Sequence, residues 1–382
     1  MPLVREVTIE NYKSIKKLTV EFGRVNVLIG PNGSGKSNLL EAIGYGSAAS
    51  RGKLDNEYLT PRGIRVVEPR FTRSALAGKR IRQIKIQFQL GIDSLQFTIS
   101  PDSGAVRSLA PLTLPTSKLA AFRSYIQKER TKHGKNWPSP AELLSLFEQF
   151  DAHTGHTVLD RLRAPDFMIY APENSALRVF QSEPQVLPIG VRGEGLFAHL
   201  KQLGARPGAP AISEITDGLG VLDWFAKFEI PKNLAAGERS LLFRDRYLAA
   251  GALFDQRSAN EGFLFLLFYL TVFISSHTPV FFALDNVDAG LNPKLITHVV
   301  RTLAGLAAAH DKQVIFTTHN PAVLDGIDLG NDEHRLFVAE RGRDGATGVR
   351  RVALPKVIEG VPSVPLSEAF VRGYLGGLPK NF

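Results

Sequence analysis

Residues 24–43, RVNVLIGPNGSGKSNLLEAI, carry the clearest indication of the fold class. Residues 24–29 have the pattern of a buried strand, and a helical segment starts near Lys36. Between them, Gly30–Ser37 matches a P-loop, in which glycines let backbone N–H groups converge on phosphates at a helix N-terminus. In that pattern the lysine neutralises the β- and γ-phosphates, and the serine that follows binds Mg²⁺. The stretch therefore predicts a site for a nucleoside triphosphate.

The C-terminal third of the chain supplies the other half of such a site. The apolar runs VFFAL at 280–284 and VIFTT at 314–318 predict parallel strands that are covered on both faces. The amphipathic segment Pro293–Ala309 lies between them and completes a β–α–β unit. Ligands gather at the C-terminal ends of such strands, where we expect Asp285 to hold Mg²⁺ beside Ser37 or through water. Both ends of the chain therefore read as halves of one α/β nucleotide-binding sheet.

The rest of the pattern predicts how the chain is divided. Further strands are predicted at 3–10, 16–22 and 167–170, a hairpin at 81–99, and helices after Ser139, at 194–203 and at 261–275. We expect residues 1–50 and 236–355 to form the nucleotide-binding core of a P-loop α/β fold. Residues 51–235 are then an inserted, basic α+β lobe, and 356–382 a tail with a short helix.

Charge is unevenly spread along the 382 residues. There are 46 Lys and Arg against 37 Asp and Glu, and no Cys, which excludes disulfides and cysteine-based metal sites. Residues 51–85 carry a local charge of +7 and residues 118–135 one of +5. Such clusters suit binding of DNA or RNA, and equally suit a solvated surface. The charged N-terminus and the short apolar runs predict a cytoplasmic protein with no membrane contact.

Four segments in order resemble a known family. They are IENYKSIKKLTVEFGRVNVLIGPNGSGKSNLLEAI, FDQRSANEGFLFLLF, FFALDNVDAGLNPKL and QVIFTTHNPAVLDG, within residues 3–45 and 240–355. They resemble the SMC/RecF-like branch of ATP-binding-cassette ATPases, in particular the stand-alone bacterial "AAA family ATPase" group. That group is related to the OLD-family ATPase domain without its Toprim nuclease. The resemblance implies ATP and Mg²⁺ as cofactors, with nucleotide contacts from Lys13, Gly30, Pro31, Asn32, Gly33, Ser34, Gly35, Lys36, Ser37 and Asn38.

The resemblance also implies a head-to-tail homodimer with ATP between the two subunits. Ser258–Gly262 resembles the signature motif, which caps the γ-phosphate held by the opposite subunit. Asn260 stands where the family usually has Ser, so either Asn260 or Ser258 supplies the polar contact, or both only cap the helix that follows. Asp288–Asn292 resembles the loop that contacts the partner subunit, and His319 resembles the histidine that senses the γ-phosphate.

One residue departs from the family pattern. After the metal-binding Asp285 the family has Glu, the base for the attacking water, whereas this chain has Asn286. An amide orients water but takes no proton, so we expect slow or partner-stimulated hydrolysis. Asp288 is the nearest replacement and Glu261 another. The glutamine that links Mg²⁺ to the second lobe in relatives has no distinctive counterpart, although Gln83, Gln87 and Gln89 are available.

The sequence leaves several functional classes open. The chain has no heptad run for a coiled-coil arm, and we expect no room for a Toprim domain after His319. The first hypothesis is the ATPase sensor of a bacterial defence or toxin–antitoxin-like module that acts with a separate effector protein. The second is a RecF-like DNA-binding repair ATPase, and the third is a hydrolysis-deficient ATP-binding scaffold.

Overall fold

A computed structural model describes most of the two predicted core segments and part of the region between them. The described residues are 3–76, 83–91, 93–100, 105–111, 163–180, 188–205, 208–231, 234, 238–248, 252–353 and 364–377. The basic segment 118–135 and the predicted helix after Ser139 lie outside these residues.

A six-stranded sheet forms the centre of the fold. Its strands are β3 (Val25–Ile29), β7 (Phe167–Tyr170), β11 (Phe281–Leu284), β12 (Gln313–Thr318), β13 (His334–Arg341) and β14 (Thr347–Val352). They lie in the spatial order β14-β13-β3-β12-β11-β7, and all neighbours are parallel except β13 and β14. Every residue of β3, β7, β11 and β12 is buried, as the continuous apolar runs predict for strands covered on both faces.

A second sheet of five antiparallel strands lies over one side of the molecule. Its strands are β1 (Val4–Tyr12), β2 (Ile15–Glu21), β4 (Ile84–Leu90), β5 (Asp93–Ser100) and β6 (Ala105–Pro111). Their spatial order is β2-β1-β4-β5-β6. The predicted hairpin at 81–99 is therefore confirmed as β4 and β5. A third, small sheet contains β8 (Phe225–Glu229), β9 (Leu242–Asp245) and β10 (Phe254–Asp255).

Nine α-helices occur in the described part of the chain. They are α1 (Lys36–Ala49), α2 (Asn56–Leu59), α3 (Pro69–Thr72), α4 (Asn174–Val179), α5 (Leu196–Leu203), α6 (Pro210–Leu219), α7 (Glu261–Ile274), α8 (Pro293–Ala309) and α9 (Leu366–Val371). Short 3₁₀ turns follow α2 at Thr60–Arg62 and β12 at Pro321–Gly326. None of these helices is long and apolar enough to cross a membrane.

Two hydrophobic cores hold the layers together. The first packs α1 between the antiparallel sheet and the central sheet, so that Gly46 of α1 sits against Ile86 and Phe88 of β4. The second packs α7 and α8 on the opposite face of the central sheet. α7 is buried from Phe263 to Ile274, as its uniformly apolar sequence predicts, and Phe273 contacts the ring of Phe282 at 5.1 Å between centroids.

Strands from the predicted inserted lobe take part in both large sheets. β7 lies between residues 51 and 235 in sequence but pairs with β11, with Tyr170 opposite Leu284. β4 comes from the same region and pairs with β1. The proposed domain boundaries at 50 and 235 therefore separate residues that share hydrogen bonds, and we place β7 with the nucleotide-binding sheet.

Candidate functional site

The loop Gly30–Gly35 leaves β3 at the C-terminal edge of the central sheet and leads into α1, which begins at Lys36. Gly33 and Gly35 have φ angles of 77° and 104°, in the left-handed region that favours glycine. A Cβ atom on Gly35 would overlap the side chain of Thr347 on β14, so the loop has no room for a larger residue there. The predicted strand, loop and helix are all present, and the helix N-terminus faces this edge of the sheet.

Lys36 lies inside the loop that precedes it. Its Nζ donates to the carbonyl oxygens of Gly30 at 2.7 Å and Pro31 at 3.2 Å. Burial lowers the pKa of Lys36 to about 8, while the carboxylates of Asp285 and Asp288 act in the opposite direction. At neutral pH the ammonium group is still mostly protonated, so it provides a positive charge where a P-loop binds phosphates.

His319 and Asp288 meet the same edge of the sheet from neighbouring elements. His319 follows β12 directly, and its Nδ1 lies 3.0 Å from Gly30 O and 3.3 Å from Lys36 Nζ. Asp288 follows β11, and its Oδ1 accepts a hydrogen bond from Thr318 Oγ1 at 2.6 Å. The fold therefore brings Asp288 and His319 to the P-loop, which lies more than 250 residues before them in the chain.

Asp285 and Ser37 are the two residues whose oxygen atoms the sequence predicts as Mg²⁺ ligands. Both line a cavity of about 530 Å³ beside the start of α1. Asp285 accepts a hydrogen bond from the Thr317 hydroxyl group, and its N–H donates to Tyr170 O at 2.8 Å. A hydroxyl and a carboxylate together with substrate phosphates are the ligand set that Mg²⁺ takes in phosphoryl-transfer sites. These residues therefore fit Mg²⁺, which Ser37 and Asp285 would hold.

Asn286 is exposed and adopts a left-handed backbone with φ of 54°. Asn tolerates this conformation better than most residues, and the Asn286 N–H donates to Thr317 Oγ1 at 2.9 Å. Of the two replacement carboxylates from the sequence, Asp288 is already bonded to Thr318. Glu261, in the first turn of α7, packs close to Gly290.

Lys13 and Asn38 lie beside the P-loop helix but have partners within the chain. Lys13 Nζ donates to Glu41 Oε2 at 2.5 Å, and Arg65 Nε donates to Glu41 Oε1 at 2.5 Å. The Glu41 side chain is only 2% exposed, so a buried carboxylate on α1 holds two cations. Asn38 Nδ2 donates to Ser14 Oγ at 2.6 Å. Nucleotide contacts from Lys13 and Asn38 remain predictions.

The predicted signature segment surrounds the N-terminus of α7. Asn260 is the N-cap, and its Oδ1 accepts from Phe263 N–H at 2.8 Å. The Ser258 hydroxyl is 3.3 Å from Asp255 Oδ1. Both side chains are exposed, whereas Gly262 is half-buried against the loop that carries Gly290. Asn260 therefore caps the helix, and its exposure at the helix start is also compatible with the predicted role in trans.

Arg178 connects the central sheet to this segment. It lies on α4, which follows β7, and its Nη1 donates to Ala259 O at 2.9 Å and to Arg257 O at 2.5 Å. Ala259 lies inside the signature segment and Arg257 directly precedes it, so α4 sets the position of the loop in front of α7. Sequence reasoning did not single out Arg178, because the contact spans about 80 residues.

Sequence reasoning also missed Glu173 and Arg192, which line the same cavity as Ser37 and Asp285. Glu173 Oε1 lies 3.4 Å from Arg192 Nε, and both side chains are more than half exposed. Glu173 comes three residues after β7. The rule that ligands gather after parallel strands would have pointed to it, but only if β7 had been placed next to β11.

The three glutamines considered for the Mg²⁺ link lie in or next to β4 of the antiparallel sheet. Gln87 Nε2 donates to Ser94 Oγ at 3.0 Å and Gln89 Nε2 to Gly91 O at 2.8 Å, while Gln83 O accepts from Asn11. These bonds hold Gln87 and Gln89 within the β4–β5 hairpin.

Part of the basic segment 51–85 is engaged within the chain. The Arg62 guanidinium stacks over the Tyr58 ring at 3.5 Å from its centroid, and its Nε lies 3.3 Å from Asp166 Oδ1. Arg65 is bonded to the buried Glu41. These two arginines therefore act first as structural partners, and a nucleic-acid contact through residues 51–85 remains a prediction.

Comparisons with known proteins agree with this architecture. The family model AAA_21, described as "AAA domain, putative AbiEii toxin, Type IV TA system", matches residues 25–325. A comparison with curated protein sequences gave no significant match.

Among solved structures, the chain resembles head domains of SMC proteins. The SmcHead crystallised with the C-winged helix domain of ScpA aligns with a TM-score of 0.56 at 13% identity, covering 92% of this chain and 99% of the other. The Pyrococcus furiosus Smc head domain with an extended coiled coil, bound to the C-terminal domain of ScpA, gives a TM-score of 0.50 at 14% identity. That alignment covers 92% of this chain and 97% of the other. At such identities the likeness concerns the fold.

Proposed function

This chain belongs to the AAA_21 family of AAA domains, with the fold of an SMC head, and from that premise we propose that it is an ATP-driven switch. In this proposal the chain binds Mg-ATP, closes into a head-to-tail homodimer around it, and reopens after hydrolysis. A separate effector protein reads the two states, as the ATPase sensor of a bacterial defence or toxin–antitoxin-like module requires.

The observation that carries the proposal is the convergence of the P-loop, Asp285 and His319 at one edge of the central sheet. Lys36 supplies the cation for the β- and γ-phosphates, and Ser37 with Asp285 supplies hard oxygen ligands for Mg²⁺. His319 Nδ1 lies 3.3 Å from Lys36 Nζ, close enough to respond to a γ-phosphate held there. One chain therefore carries the residues needed to bind nucleotide.

The exposed start of α7 supports the dimer. Ser258 and Asn260 are exposed there, and Gly262 packs against the loop of Gly290, so the two predicted trans-acting segments form one surface. ATP that contacts this surface of the opposite subunit stabilises the closed dimer, because its γ-phosphate completes contacts that neither subunit makes alone.

Two findings from the comparisons support a separate effector. The SMC head structures contain a bound domain of ScpA, which is a different protein. The family description refers to a toxin and a type IV toxin–antitoxin system. By analogy, we propose that a partner protein docks on this chain and that nucleotide state controls it.

Asn286 sets the expected rate. Because its amide takes no proton from water, we propose that hydrolysis by the isolated chain is slow and that the ATP-bound dimer is long-lived. A long-lived closed state suits a sensor better than an enzyme of rapid turnover.

The test is phosphate release from Mg-ATP together with gel filtration in ATP and in ADP, with Lys36→Ala as the blank. We expect slow release above the blank and a dimer that forms with ATP but not with ADP. Binding of ATP by the Lys36→Ala protein with unchanged affinity would refute the P-loop assignment. A chain that stays monomeric in saturating Mg-ATP would refute the dimer.

The RecF-like DNA clamp is a weaker candidate, because the Arg62 side chain in the basic segment is only 14% exposed and pairs with Asp166 within the chain. It predicts duplex DNA binding that weakens steeply with salt and stimulates phosphate release. Reversal of charge at Arg62, Arg65, Arg70 and Arg73 would then reduce the salt dependence. The alternative of a hydrolysis-deficient scaffold predicts ATP binding with no phosphate release above that of Lys36→Ala.

A further inference from the structure

The cavity beside Ser37 contains a carboxylate that none of the motifs includes. Among the described residues, three acids line it: Glu41, Glu173 and Asp285. Glu41 is buried and held by Lys13 and Arg65, and Asp285 is bonded to Thr317 and fits Mg²⁺. Glu173 differs from both, because its side chain is 52% exposed and its partner Arg192 is equally accessible.

The backbone around Glu173 is fixed on both sides. β7 pairs with β11 in parallel register, and Asp285 N–H donates to Tyr170 O at 2.8 Å. Beyond the strand, Ala171 N–H donates to Val191 O at 2.9 Å, and Glu173 N–H donates to Arg192 O at 2.9 Å. The main chain therefore carries Glu173 to the edge where Asp285 lies, while its side chain is about half exposed to solvent.

The ion pair between Glu173 and Arg192 is weak enough to open. The two groups are 3.4 Å apart and more than half exposed, and pairs of this kind contribute little in water. Nucleotide phosphates bound at the P-loop, which adjoins the cavity at Ser37, would compete for the guanidinium group of Arg192 and leave the Glu173 carboxylate available to a water molecule.

Asn286 does not line this cavity, and neither do Asp288 and Glu261, the two carboxylates that the sequence offers in its place. Asn286, where the family has its base, takes no proton, and Asp288 already accepts the Thr318 hydroxyl at 2.6 Å. Glu173, by contrast, lines the cavity together with Ser37 and Asp285, on the side from which it could approach the attacking water that a base must reach.

We propose that Glu173 is the base that activates water for ATP hydrolysis in this chain, in place of Asn286. The inference rests on the proposed function and adds a catalytic residue to it. In the step, the water oxygen forms a bond to the γ-phosphorus, and the bond from that phosphorus to the β–γ bridging oxygen breaks. The electron pair stays on ADP, one water proton passes to the Glu173 carboxylate and then to solvent, and the other proton remains on the released phosphate.

The experiment compares Glu173→Gln and Glu173→Asp with the wild-type chain. A matched control is Glu229→Gln, because Glu229 also pairs with a basic residue at 3.4 Å and is similarly exposed, yet lies on β8 and does not line the cavity. For each protein we would measure three quantities: the affinity for ATP, the phosphate released in a single turnover, and the unhydrolysed ATP that stays with the protein after gel filtration. Circular dichroism checks that each variant is folded.

We expect Glu173→Gln to bind ATP as the wild type does, to release phosphate at least about 100-fold more slowly, and to retain more intact ATP. Glu173→Asp should recover part of the rate, and Glu229→Gln should match the wild type. Phosphate release by Glu173→Gln within about threefold of the wild-type rate would overturn the proposal. If Asp288→Asn were tested beside these variants and it alone lost phosphate release, the proposal would also be overturned.

The variant Arg192→Gln distinguishes the loss of the Glu173 carboxylate from the loss of its ion pair with Arg192. This variant removes the pair but keeps the base, so we expect it to retain far more activity than Glu173→Gln. An equal loss in both variants, with no further loss in the double variant, would assign the effect to the pair and overturn the proposal. If the wild type binds ATP but releases no phosphate above the Lys36→Ala blank, hydrolysis itself fails and this inference fails with it. Turnover in both wild type and Glu173→Gln, by contrast, leaves the proposed function intact.

Discussion

The buried carboxylate of Glu41 offers a sharp test of how the nucleotide site is built. Glu41→Gln keeps the shape of the side chain but removes the charge that Lys13 and Arg65 share. The Lys13 and Glu41 side chains are only 13% and 2% exposed, so the loss of stability on breaking this largely desolvated pair falls in the range of about 3–5 kcal/mol. The Arg65 side chain is 68% exposed and returns to water, so its pair adds only about 0–1 kcal/mol.

The amide that Glu41→Gln introduces would still accept one hydrogen bond, which reduces the expected loss to about 3 kcal/mol. With an unfolding entropy of about 2.1 cal/mol/K per residue over 382 residues, this loss lowers Tm by about 4 °C. Thermal unfolding followed by circular dichroism measures the shift, with Arg65→Gln as the control that should change Tm by no more than about 1 °C. A Glu41→Gln protein as stable as the wild type, or one no less stable than Arg65→Gln, would refute the claim that Glu41 anchors Lys13.

Three further outcomes follow from single contacts. Asp285→Ala should remove Mg²⁺-dependent phosphate release, because the cation loses its carboxylate ligand, and activity retained at saturating Mg²⁺ would contradict that role. Arg178→Ala should weaken the ATP-dependent dimer in gel filtration while ATP affinity stays unchanged, since only the carbonyl groups of Arg257 and Ala259 lose their donor. Burial lowers the pKa of Lys312 from 10.5 to about 8, so the unfolded chain binds more protons between these values and stability rises with pH. The free energy of unfolding in urea should therefore be about 1 kcal/mol higher at pH 9 than at pH 7, a gain that Lys312→Met lacks, and an equal change with pH in both proteins would contradict this explanation.

Much of the nucleotide site is predictable from sequence because each of its parts is local. The spacing within Gly30–Ser37 already specifies the turn and the helix start, and the apolar run before Asp285 specifies the strand that carries it. The general rule for parallel sheets then places Asp285 and His319 near the P-loop, and the structure agrees.

The role of the region between the two halves could not be predicted in the same way. Its strands enter both large sheets, and β7 becomes the neighbour of β11 although about 110 residues separate them. Four apolar residues are compatible with a strand in any sheet, so pairing of this range is set by the competition among all strands and helices for one core.

The amino-acid sequence alone is enough to identify the P-loop, the acid after β11, the substitution of Asn286, and the apolar helix α7. These features depend on residues that are close together in the chain, where backbone geometry and hydrophobic periodicity act directly. The arrangement of Lys13 around Glu41, the link from Arg178 to the signature segment, and the place of Glu173 in the cavity depend on the packed layers. In all three arrangements, strand order and burial bring together residues that are distant in the chain. The charge network of the site is therefore a property of the tertiary structure.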